Sequence, residues 1–111
     1  MRISELVSCL GLEAAQESYS DREISTGYAS DLLSDVMANA KADGVLVTVQ
    51  AHKNAVAVAS LVGLGAIIVC NSRPLPEDMI EAARAEGVAV FRSAASAFEI
   101  SGRLWAALHR P

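Results

Sequence analysis

The chain has 111 residues, a formal charge of −4 and 52% hydrophobic residues, with a mean hydropathy of +0.33; that length bounds it to one domain with a core of its own. Its acidic balance excludes the basic footprint that phosphate backbones select, so no nucleic-acid partner is expected. The apolar fraction exceeds what one small domain can hide, which predicts a homo-oligomer, most simply a two-fold dimer.

The first residues, Met1-Arg2-Ile3-Ser4-Glu5, read as a helix start rather than a signal peptide. Ser4 is placed to cap a helix of about two turns, with Leu6, Val7 and Leu10 on its apolar side and Gly11 as its stop. Residues 12–19 are ambiguous between a strand and an extended segment, and residues 18–22 are turn-like. From Glu23 the pattern alternates: Ile24, Thr26, Tyr28 and Ser30 share one side of an expected strand, in which Gly27 marks a bulge or a close backbone approach. Ser30 or Asp31 then caps a helix whose apolar face is Leu32, Leu33, Val36, Met37 and Ala40.

Three apolar runs follow, at 45–49, 66–70 and 88–91. Near-continuous β-branched and apolar stretches are the mark of strands buried on both faces, so they predict the centre of a parallel sheet. The segments between them are long enough for crossover helices, which gives a β-α-β-α-β core. The first of these helices, from Asn54 or just before it, is apolar almost all round and so is sandwiched between the sheet and a further layer, ending at Gly63 and Gly65. Those glycines follow a helix and precede a strand, the reverse of a dinucleotide fingerprint. Pro76, Glu77 and Asp78 open the next helix, with Met79, Ile80 and Ala83 inward and Gly87 as its close. Ser96 and Glu99 form a capping box for the last one, with Ile100, Leu104 and Leu108 as its stripe, Phe98 and Trp105 flanking it, and Trp105 expected in core or dimer contact.

Polar residues cluster after each central strand, and in a parallel sheet those clusters share one edge, where open α/β sheets bind ligands. Gln50, His52, Lys53 and Asn54 follow the first strand, Asn71, Ser72 and Arg73 the second, and Arg92 and Ser93 the third. With two helix starts beside Lys53 and Arg73, the first two clusters form a candidate site for a small anion, a phosphate, nucleotide or carboxylate. Competing chemistry is thin. His109 sits in a solvated C-terminal stretch, while His52 and Cys70 make the one conceivable acid-base and nucleophile pair. Asp31 and Asp35 could hold a cation but are more simply a cap and a surface charge, and no phosphate loop is present. No catalytic residue, metal or cofactor is therefore expected. Cys9 and Cys70 lack metal-ligand or CxxC spacing, and no apolar run reaches the ~18 residues of a membrane span. The expectation is a cytoplasmic protein without a membrane partner.

Across its length the chain resembles a small stand-alone member of the DRTGG-domain family, similar in fold to the N-terminal domain of HPr kinase/phosphorylase. The resemblance lies in Tyr28-Ala29-Ser30-Asp31-Leu32-Leu33-Ser34-Asp35-Val36-Met37, in Leu46-Val47-Thr48-Val49-Gln50-Ala51-His52 leading into Asn54-Ala55-Val56-Ala57-Val58-Ala59, and in Pro74-Leu75-Pro76-Glu77. It implies a three-layer-like parallel sheet with an extra N-terminal helix and strand, and a dimeric regulatory or assembly module without activity of its own. It also implies partners among redox enzymes of the hydrogenase type or signalling enzymes. The family's naming motifs, GDR and TGG, fall where this chain reads Ala51-His52-Lys53 and Cys70-Asn71-Ser72.

Overall fold

The computed structural model describes residues 1–110. The three apolar runs become the sheet's centre: β3 (Gly44–Thr48), β4 (Ala66–Val69) and β5 (Ala89–Arg92) are parallel neighbours. Their register stacks Val47, Ile68 and Phe91 in one row and Leu46, Ile67 and Val90 in the next, and alternation sends these rows to opposite faces. Both faces are covered, which is why the runs are apolar throughout. Towards one face pack α1 (Leu6–Leu10), which continues a 3-10 turn at Ile3–Glu5, and α5 (Ala97–Leu108), through Ile3, Leu6, Ile100 and Leu104. Towards the other pack α2 (Leu33–Asn39), α3 (Lys53–Val62) and α4 (Glu77–Glu86), through Val36, Val56, Ala59, Met79 and Ala83.

Two further strands flank the centre. The segment after Glu23 supplies β2 (Thr26–Ala29), parallel to β3, and the ambiguous segment supplies β1 (Glu13–Gln16), antiparallel to β5, so the order is β1-β5-β4-β3-β2. Gly27 is a site of close approach: a Cβ there would lie 2.7 Å from Leu104 Cδ2 of α5. The near-uniform apolarity of α3 has its cause in the neighbours α2 and α4, while Ala57, Ser60 and Leu61 face outward. Helix stops at Gly11, Gly63 and Gly87 fall where expected, each left-handed, as does the Ser96–Glu99 capping box.

Two expected caps do other work. Ser4 lies within the 3-10 turn and donates its hydroxyl to the Asp21 carboxylate at 2.6 Å. Helix α2 begins after Leu32, with no side-chain cap; Ser30 Oγ accepts the Leu32 N–H, and Asp31 turns away to β3. The apolar stripe expected on α2 is also narrower than its spacing, because Leu32 and Met37 are exposed and only Val36 is fully buried. Phe98 and Trp105 are likewise outside the core, 88% and 68% exposed.

Asp21 anchors the N-terminal turn, accepting also from the Ser4 N–H and from Arg2 Nε. Its carboxyl is held at about 2 rather than 3.8, chiefly by the Ser4 hydroxyl and further by the Ser4 N–H and Arg2, which outweigh an opposing desolvation. A depressed carboxyl contributes stability above its unfolded value and loses it as pH falls through its folded one. Asp21→Asn is therefore expected to lower the urea midpoint at neutral pH, with the gap to wild type closing between pH 3.8 and about 2. A gap that stays constant over that window would contradict the linkage.

Candidate functional site

The C-terminal ends of β3 and β4 lie side by side, so the structure brings the two predicted polar clusters to one edge. Their members have different occupations there. His52 is the N-cap of α3, its Nδ1 accepting the Asn54 N–H at 3.0 Å. Gln50 reaches back to the β2–α2 connection, donating from Nε2 to the Asp31 carbonyl at 3.0 Å. Both carry structural hydrogen bonds that sequence spacing did not reveal. Lys53, at the first turn of α3, and Arg73 are exposed, and among the described residues neither makes an ion pair, in contrast to Arg2, Arg22 and Arg103.

Asn71 and Ser72 turn the chain after β4 in left-handed conformations, with φ of 62° and 52°. Their N–H groups donate to Ala95 and Ser93 carbonyls at 3.0 and 2.8 Å, knitting this loop to the one after β5. Glycine adopts positive φ without a steric penalty, and these are the two positions at which the resembled TGG motif has glycines. Asn71 and Ser72 hold these left-handed conformations without a glycine at either position.

Arg92, which the sequence places at this edge in the polar cluster after the third strand but outside the candidate site, closes the row Thr48, Val69, Arg92 at the C-terminal ends of the three central strands. Asp31 was read as a cap, yet its Oδ1 accepts from Thr48 Oγ1 at 3.0 Å and from the Val49 N–H at 2.8 Å. It ties the β2–α2 connection to the end of β3.

Cys70 and His52 are held apart by the sheet. Cys70 is fully buried in the cluster under α1 and α5, whereas His52 caps α3 on the opposite side. Burial pushes the Cys70 thiol up, and the Asp31 carboxylate adds to the effect, the reverse of what activates a nucleophile. Among the described residues no group of three or more His, Cys, Asp or Glu side chains could hold a metal ion. Asp35 accepts instead from the Tyr28 hydroxyl at 2.7 Å.

The topology alters the shape expected of this edge. Ligand crevices in open α/β sheets form where strand order reverses, and here β2, β3, β4 and β5 follow one another in a single direction, with their connecting helices against one core. The edge is therefore shallow. A groove of about 300 Å³ between α3 and α4 reaches the edge at Lys53 and Asn54 and includes Val56, Ala82 and Glu86; another, of about 130 Å³, lies between β2 and α5 and includes Gly27, Tyr28, Ser101 and Trp105.

Part of a known regulatory region shares this fold. The CBS and DRTGG domains of the regulatory region of a Clostridium perfringens pyrophosphatase, complexed with the activator diadenosine tetraphosphate, match the chain with a TM-score of 0.72 at 11% identity. The match covers 92% of this chain and 45% of that one, so the chain spans less than half of that region's length. The chain thus has a DRTGG-like α/β fold. No protein-family model and no curated relative matches it. Among the described residues no helix is long and apolar enough to cross a membrane.

Proposed function

We propose that the chain is a non-catalytic regulatory or accessory module that takes a small phosphate-bearing ligand, a nucleotide or phosphate itself, at the C-terminal edge of its sheet. The observation that carries this reading is charge placement. In a chain of net charge −4, Lys53, Arg73 and Arg92 lie at or just beyond the ends of three adjacent strands and, among the described residues, make no ion pair. Cations left unpaired beside a helix start suit an anion. The nucleotide ligand of the structurally similar regulatory region supports the choice of ligand class.

The test is titration calorimetry of the whole chain with ATP, diadenosine tetraphosphate and inorganic phosphate, on wild type and on Lys53→Ala combined with Arg73→Ala. Wild type is expected to bind a nucleotide, and the double variant to bind at least about tenfold more weakly, the loss of roughly 1.4 kcal/mol expected for two charge-assisted contacts. Binding should also weaken with added salt. Wild type that takes up none of the three probes would overturn the proposal.

A second reading, a structural adaptor or dimerisation module for a redox or signalling enzyme, draws on the exposed Phe98 and Trp105 of α5. It expects the double variant to hold its protein partner as well as wild type does.

A further inference from the structure

We infer that the outer face of α5 is a self-association surface, on which a second copy of this chain packs its own α5 antiparallel across a two-fold axis. The inner face of the helix is accounted for by Ile100 and Leu104, both buried against the sheet. Its outer face is not polar as a solvated helix face would be. Phe98, Gly102, Trp105 and Ala106 recur at i, i+4, i+7 and i+8, and all four are exposed.

Gly102 is the telling member. It sits inside the twelve-residue helix with helical backbone geometry, and a Cβ built on it would meet nothing within 4 Å. Nothing within the monomer requires glycine there, and glycine is a poorer helix former than alanine. Its absent side chain permits the close backbone approach of another helix. Trp105 is already held for contact: its ring stacks on His109 with centroids 3.9 Å apart at 22°, so little side-chain freedom remains to be lost on association.

Charge complementarity selects a second copy as the occupant. Glu99 and Arg103 lie one turn apart on the flank of the apolar stripe, 3.6 Å from each other and half exposed. Turning α5 end over end about an axis close to Ser101 and Gly102 sets Phe98 of each copy against Trp105 of the other, and Glu99 of each against Arg103 of the other. Every contact then occurs twice, as an isologous interface demands, and the four charges alternate in sign. The face is complementary to itself. The surface is independent of the anion edge, which lies at the strand ends, so either proposal can fail alone.

Sedimentation velocity of the full chain over a concentration series tests it. Wild type is expected to be a dimer, and Phe98→Asp with Trp105→Ser a monomer of unchanged circular dichroism. Gly102→Leu guards against a variant that merely unfolds: it adds a side chain where the monomer has open space and should keep the wild-type circular dichroism, yet weaken the dimer at least about tenfold, the effect of blocking the closest approach. Arg103→Glu should weaken association, and adding Glu99→Arg should restore it. A wild-type monomer throughout, or a dimer indifferent to Gly102→Leu and to the aromatic variant, would overturn the inference.

Discussion

Phe91→Ala is expected to cost roughly 3–5 kcal/mol of stability, the range for emptying a fully buried aromatic site. Phe91 is 1% exposed and lies mid-row with Val47 and Ile68, packed in the cluster that also holds Ile3, Leu6, Ile100 and Leu104. It also pairs in register with Ala14 of β1, so the cavity would open beneath both covering helices and the antiparallel edge. For a domain with about 5–15 kcal/mol in total, that loss moves the urea midpoint by a large fraction of its value. The other phenylalanine, Phe98, is 88% exposed, and Phe98→Ala should change monomer stability by no more than about 0.5 kcal/mol. A similar cost at both positions would contradict the packing.

Asp31→Ala is expected to cost roughly 1–3 kcal/mol, because the buried Thr48 hydroxyl and the Val49 N–H both lose the same acceptor. Asp31→Asn, which keeps one acceptor oxygen, should fall between that variant and wild type. The thiol of Cys70 reports on the same change from a distance. With the Asp31 carboxylate gone, the smaller of the two influences that raise it disappears, so the thiol should be raised less. Unchanged stability in Asp31→Ala would show that the tie between the β2–α2 connection and β3 carries nothing.

The central strands were legible because burial on both faces leaves a mark in every residue: Val45, Leu46 and Val47, or Ile67, Ile68 and Val69, admit little else. β1 was not. Its Glu13-Ala14-Ala15-Gln16 has no strong propensity and becomes a strand through Phe91 and Val90, far away in sequence; the Gln16 side chain reaches the Val88 carbonyl across the same distance. Caps failed for a related reason. Ser4 and Asp31 have the chemistry of helix caps, and local spacing invites that use, but each is claimed by a partner at least 17 residues away. Ser96, whose capping partner Glu99 is local, was read correctly. At the candidate edge the sequence disclosed which residues share it, since strand ends are countable. It did not disclose that Gln50 and His52 are engaged in holding the backbone, nor that a one-directional strand order leaves the edge shallow.

That strand order also sets a timetable for folding. Strands β2 to β5 add one beside the last, each with its connecting helix laid on the same side, so that half of the molecule can assemble by contacts between successive segments. The opposite side is closed by α1 and α5, elements from the two ends of the sequence, with Leu6 and Leu10 sharing a core with Ile100 and Leu104. Contacts of such separation form late and slow the search for the native state. Until they form, Val45, Val47, Ile68 and Phe91 have no helix above them, and a nascent chain lacking α5 presents one greasy half-sheet, the form in which a chaperone would meet it.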